Sequence, residues 1–230
     1  MMRIAVFEHA PYEGPGAIAT WAGERGHTVA RIDATRGTFP TPEEYDAVVV
    51  MGGPMSANDD ATCNWLVAEK RAVRAGIDAG KRVLGVCLGA QIVASVLGAS
   101  VTRNPQPEIG WFPVTLSEAA SASRVFGALP ASFVAGHWHG DTFALPEGAR
   151  AMASSDACTN QAFEYDDGRI VGLQFHLEWL PADVEALVET CAGDSAPGPY
   201  VEDVGAFVEG ERSHGEACRA LLYSLLDTFA

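Results

Sequence analysis

The stretch YDAVVVMGGP, Tyr45 to Pro54, carries a continuous apolar run that stops at two glycines and a proline. Such a run, without alternation, suits a strand buried on both faces of a parallel sheet. Downstream, residues 60 to 79 carry Leu66, Val73 and Ile77 on one helical stripe, and Gly80 supplies a C-terminal stop. KRVLGVC, Lys81 to Cys87, is then a second buried strand. This β-α-β spacing from Ala47 to Cys87 calls for a right-handed crossover between parallel strands. The fold class follows as α/β, with an open, doubly wound, mostly parallel sheet.

On the N-terminal side, RIAVFE, a Gly-rich turn and GAIATWAGERG read as strand, turn and short helix, with Ile18, Trp21 and Ala22 at helical spacing and Gly26 as the stop. TVARI re-enters as a strand. Beyond Val101 the strands shorten: WFPVTL, SFVAGHWHGD, RAMASS, QAFEY and RIVGLQFH predict further strands of the same sheet plus a small antiparallel layer. LPADVEALVETCAG places Val184, Leu187, Val188 and Cys191 on one helix face, with Pro181 near its first position. DSAPGPY reads as a loop, and EACRALLYSLLDTF as an amphipathic helix with Cys218, Leu221, Leu222, Leu225 and Phe229 inward. The 230 residues are expected to form one domain, residues 1–230, with the motifs in 45–180 and C-terminal helices in 181–230.

The net charge of −15, of which residues 181–230 contribute −8, argues against a nucleic-acid partner. The acidic tail reads as a solvated helix face. No apolar run is long enough to span a bilayer, and the N-terminus lacks a signal-peptide pattern, so no membrane partner and a cytoplasmic location are expected. Five cysteines without a C-x-x-C pair argue against a disulfide framework and suit a reducing compartment.

GVCLGAQ, Gly85 to Gln91, puts a thiol between glycines at a strand-to-helix turn. The geometry matches a G-x-S-x-G elbow, which exposes a nucleophile above a sheet, and the helix N-terminus favours thiolate over thiol. Alone, the pattern also fits a buried cysteine at a strand end. A cysteine nucleophile needs a base and an orienting acceptor, and QFHLE supplies His176 and Glu178, which share a face if the segment is extended. The pair Gly52 and Gly53 lets the backbone turn N–H groups toward a substrate carbonyl, although GGP also fits a plain turn. The amides of Gly53 and Leu88 would then form an oxyanion hole, each donor worth about 3 kcal/mol.

GGP, GVCLGAQ, HGD and QFHLE, in this order and spacing, resemble the class I glutamine amidotransferases, particularly stand-alone proteins similar to the glutaminase domain of GMP synthase; EIGWFPV and NQAFEY add to the likeness. The resemblance covers about residues 45 to 180. It implies a flavodoxin-like fold, a triad of Cys87, His176 and Glu178, and glutamine hydrolysis through a cysteine γ-glutamyl thioester, giving glutamate and ammonia. It also implies that Gln91 contacts glutamine and that Trp138, His139, Gly140 and Asp141 bind its amino-acid end, largely through backbone groups. Most relatives carry proline where this chain has Leu177.

Three rival readings remain open. A γ-glutamyl peptidase or hydrolase would use the same triad on a larger leaving amine. A silent partner-binding subunit would have no need of all three residues. HWHGD also fits the H-x-H-x-D pattern of metallohydrolases, but His9, His27 and His214 show no paired spacing, so no metal is expected. No cofactor is implied. Without a phosphate-loop motif the chain cannot activate an acceptor with ATP, so ammonia would pass to a separate synthetase or acceptor subunit, or to solution.

Overall fold

Successive side chains of a strand face opposite sides of its sheet, and in the first strand that alternation seeds two cores. The computed structural model describes residues 1–191, 193 and 196–230. Strand β1 (Arg3–Glu8) sends Ile4 and Val6 into one apolar cluster, and Ala5 and Phe7 into the other. It is followed by α1 (Gly16–Glu24), β2 (Thr28–Asp33), β3 (Ala47–Val50), α2 (Asn64–Asp78), β4 (Arg82–Val86) and α3 (Leu88–Val96). Then come β5 (Val101–Leu116), α4 (Glu118–Ser121), β6 (Ser132–Phe143), β7 (Arg150–Ser154), β8 (Ala162–Tyr165), β9 (Ile170–Leu173), α5 (Pro181–Cys191) and α6 (Val204–Phe229).

Among the described residues these strands form one mixed sheet in the order β2-β1-β3-β4-β9-β8-β7-β5-β6. Pairing is parallel from β2 across to β9 and antiparallel from there to β6. The antiparallel strands thus continue the parallel sheet edge to edge. Helices α1, α5 and α6 cover one face with Trp21, Leu187 and Phe207, and α2 and α3 cover the other with Leu66, Val73 and Ile92. Strand order reverses beside β1, and in open α/β sheets ligands collect at the carboxyl ends of the strands near such a switch. The carboxyl ends of β1, β3, β4 and β9 carry His9, Gly52, Cys87 and Gln174, so the motif residues share one rim.

Three predicted bounds change. WFPVTL is only the C-terminal end of the sixteen-residue β5, which pairs with β6 along nearly its whole length. Strand β9 ends at Leu173, so His176 lies beyond it, in a short bridge to Gly136. The last helix starts at Val204 instead of Glu216. Its glycines look like breakers in sequence, but Asp203 caps it by accepting from the Ala206 N–H at 2.9 Å, and Gly210 packs under the Trp111 ring, where a Cβ would lie 2.0 Å from Cδ1. In DSAPGPY, Asp194 and Ser195 lie outside the described residues, as does Ala192 at the end of the preceding predicted helix. No helix among the described residues is long and apolar enough to cross a membrane.

Helix α3 packs closely on β3. A Cβ at Gly89 would lie 1.9 Å from the Val50 carbonyl oxygen, and one at Gly85 would lie 2.5 Å from the Gly89 carbonyl oxygen. Both contacts are backbone, which cannot swing aside. Gly89→Ala is expected to cost about 3 kcal/mol or more, read as a lower urea midpoint with unchanged slope; a native midpoint would show that α3 can slide away.

Candidate active site

The turn from β4 into α3 holds Cys87 at φ 52, a left-handed conformation that a non-glycine residue adopts at a cost of about 1–3 kcal/mol. The Cys87 N–H donates to the Leu173 carbonyl at 2.7 Å, which ties the elbow to the end of β9. As the first residue of α3, Leu88 has no helical acceptor for its N–H, and the Gly53 N–H donates to no described residue. Gly53, Cys87 and Leu88 line one cleft of about 420 Å³, together with Gln91, Trp138, His139, Gly140 and Asp141.

His176 and Glu178 stand against this elbow. The His176 Nδ1 lies 2.6 Å from Glu178 Oε1, and the other carboxylate oxygen accepts the Leu177 N–H at 3.0 Å. A proline at 177 would lack that donor, so leucine here adds a bond to the carboxylate. The Trp179 ring stacks on the imidazole at 4.0 Å between centroids, and His176 is held by reciprocal backbone hydrogen bonds with Gly136. The Glu178 carbonyl accepts the Ala17 N–H at 2.8 Å, which brings the start of α1 into the site. Gly16 is required there, since a Cβ would lie 2.3 Å from that carbonyl oxygen.

The electrostatics combine opposing effects. Burial acts against a charged His176, but Glu178 and the facing Cys87 outweigh it and hold the imidazole well above its usual pKa. Burial pushes the Cys87 thiol up, against the pull of His176 and the Leu88 amide. The helix-terminal amide of Leu88 favours the thiolate, as expected, while desolvation, at 6% exposure, opposes it and is the larger effect.

Of the other predicted residues, Gln91, Trp138, His139, Gly140 and Asp141 also line the cleft, and Gly52 stands just behind it. The Gln91 side-chain NH₂ is committed to the Asp141 carbonyl at 3.2 Å and to Gln174 Oε1 at 3.1 Å, leaving its carbonyl oxygen to offer. Trp138 presents its carbonyl to the Cys87 sulfur at 3.8 Å. His139 turns inward, with Nε2 3.0 Å from Glu108 Oε2 and Nδ1 3.0 Å from the Asp141 carbonyl. The Asp141 carboxylate accepts from Ser56 Oγ at 2.9 Å and lies 3.4 Å from Arg103 Nε. Gly140 packs against Arg103, and Gly52 against the Glu13 carboxylate, where a Cβ would lie 2.0 Å from Oε2.

Sequence reading missed Glu13, Trp179 and Glu108. Glu13 lines the cleft with Cys87, and its carboxyl is pushed up by burial, with His176 opposing. Its only signal was a lone acid among turn residues. Glu108 comes from β5 to within ligand distance of both His137 and His139, one donor atom of each lying within 4.8 Å of the others. Its two oxygens already accept from Ser155 Oγ and Gln161 Nε2, each at 2.6 Å, and burial lowers His137 to about 3. Asp141 faces elsewhere, so H-x-H-x-D does not assemble as one ligand set; Nε2 of both His137 and His139 is buried without a hydrogen-bond partner among the described residues.

The fold agrees with the comparisons. A model of the glutamine amidotransferase class-I family matches residues 17–187, and the chain belongs to that family. A glutamine amidotransferase-like protein of Salmonella typhimurium, YfeJ, is 33% identical over 193 residues, covering 82% of this chain and 80% of the relative. A glutamine-hydrolyzing GMP synthase subunit of Sulfurisphaera tokodaii is 33% identical over 173 residues, 70% of this chain and 88% of the relative. The crystal structure of a glutamine amidotransferase from Thermotoga maritima superposes with a TM-score of 0.87 at 29% identity, covering 99% of this chain and 97% of the other.

Because burial raises the Cys87 thiol, its alkylation by iodoacetamide, followed by peptide mapping, should increase with pH through a midpoint above 9.0. Since His176 supports the thiolate, His176→Ala should move that midpoint further up. A reactive plateau near neutral pH would contradict this reading.

Proposed function

We propose that this protein hydrolyses the side-chain amide of glutamine through a Cys87 γ-glutamyl thioester, giving glutamate and ammonia. The observation that carries the reading is that Cys87, Gly53 and Leu88 line one cleft, with His176 facing the thiol and hydrogen-bonded to Glu178, the Leu88 N–H directed at the sulfur and the Gly53 N–H without a partner among the described residues. In this mechanism the imidazole takes the thiol proton as sulfur attacks the amide carbon, and the two amides stabilise the resulting oxyanion. His176 then protonates the departing nitrogen, and ammonia leaves. Water, deprotonated by the same imidazole, attacks the thioester; glutamate departs and the thiol recovers its proton. Glu178 keeps the ring oriented and stabilises it when charged.

The ammonia would be used by a separate acceptor protein. The name of the Sulfurisphaera relative, which is one part of a GMP synthase, supports that arrangement. A second reading, γ-glutamyl peptide hydrolysis with the same triad, is favoured by one feature. The cleft extends past Cys87 to Leu187, Cys191 and Ala196, which leaves room for a larger leaving amine.

Purified protein should release ammonia from glutamine, and Cys87→Ala should lower that rate by a factor on the order of 10³ or more. A panel of glutamine, γ-glutamyl dipeptides and glutathione separates the two readings, and a clear preference for the peptides would overturn the first. The acidic limb of kcat/KM should lie above pH 6.5, because a raised imidazole stays protonated, and unable to act as base, to higher pH. Glu178→Gln should move that limb down and lower kcat by a factor on the order of 10² or more.

A further inference from the structure

His9 and Glu69 form a second buried imidazole–carboxylate pair, at the end of β1 and in α2, and the proposed chemistry does not use it. Both side chains are fully buried. The His9 Nε2 lies 2.9 Å from Glu69 Oε1, and Nδ1 lies 2.8 Å from the Gly52 carbonyl oxygen. That carbonyl can only accept, so Nδ1 carries a proton and donates. Burial opposes charge on His9, but Glu69, with the Gly52 carbonyl, prevails and raises its pKa.

The consequence lies in the peptide plane. The Gly52–Gly53 bond is trans, so the Gly52 C=O and the Gly53 N–H point in opposite directions across one rigid unit. A hydrogen bond that fixes the carbonyl toward His9 therefore fixes the N–H on the other side. A diglycine peptide flanked by few side chains would otherwise rotate readily. Close packing adds to the restraint: at Gly53 a Cβ would lie 2.8 Å from His9 Cβ and 2.9 Å from Leu88 Cδ2. The Gly53 N–H makes no hydrogen bond to a described residue, as befits a donor kept for a ligand.

We propose that His9, held by Glu69, is a positioning residue that locks the Gly52–Gly53 peptide with its N–H toward the cleft, so that the oxyanion site is formed before substrate or partner arrives. The inference rests on the acyl-transfer reading above. Under it, the isolated chain turns over glutamine without waiting for another protein to rotate this peptide.

Two substitutions split the imidazole's two bonds. In His9→Asn the side-chain nitrogen takes the place of Nδ1 and keeps the bond to Gly52; in His9→Gln it takes the place of Nε2 and keeps the bond to Glu69. His9→Gln should lower kcat for ammonia release about 100-fold with KM changed less than about threefold, as for loss of one oxyanion donor. His9→Asn should retain kcat within about fivefold, although it strands the Glu69 carboxylate and melts at lower temperature than His9→Gln. Activity and stability thus rank the variants in opposite orders, which a purely structural role would not produce. Native kcat in His9→Gln, equal losses in both variants, or losses that follow melting temperature would overturn the lock. If the native protein releases no ammonia, it is the acyl-transfer reading that fails. The lock is then read by nitrogen-15 NMR of the imidazoles: a slowly exchanging His9 Nδ1 proton supports it, and absence of that proton overturns it.

Discussion

The approach of helix α3 to strands β3 and β4 is the contact on which the rest of the site depends. Gly85 and Gly89 let backbone meet backbone at distances no Cβ would tolerate, and Cys87 between them is left in a left-handed conformation. The strain is sustained because its neighbours over-determine it: the Cys87 N–H is fixed to Leu173, and the first turn of α3 is wedged against Val50. The same geometry presents the sulfur at the rim of the sheet and leaves the Leu88 amide without a helical partner. Were the helix set back by the width of one methyl group, thiol, amide and the Gly53 turn would no longer share a cleft.

Around this elbow, buried carboxylates are matched with imidazoles: Glu178 with His176, Glu69 with His9, and Glu108 with His139. A buried carboxylate on its own would be neutralised or would destabilise the fold, so each depends on its partner. The pairs differ in what the second nitrogen meets. In His176 it faces a thiol, in His9 a backbone carbonyl, and in His139 the carbonyl of a cleft-lining residue. One arrangement of side chains thus meets a thiol in one place and backbone carbonyls in two others.

Much of this was legible in the chain. The β-α-β reading of Tyr45 to Cys87 placed the parallel half of the sheet, because continuous apolar runs and a helical stripe report burial locally. Cys87, His176 and Glu178 were legible as a set because the elbow glycines and the QFHLE spacing are local features. The length of α6 was not. Gly205, Gly210 and Gly215 weaken a helix in isolation, and only Trp111, brought from β5, explains why Gly210 must lack a side chain. The balance at the thiol was likewise only half legible, since a helix terminus can be read from sequence whereas desolvation by the surrounding fold cannot.

Sequence alone determined the class of fold, the identity of the nucleophile candidate and its base, and membership of a family whose motifs are short and contiguous. Tertiary structure decided which groups stand behind them. Glu13 and Glu69 belong to segments with no motif, Glu108 and Trp179 stand at motif edges with no role assigned, and all four matter through contacts distant along the chain. Local patterns encode what each backbone segment can do by itself; the orientation of an imidazole or a peptide plane is set by partners that only folding brings within hydrogen-bonding distance.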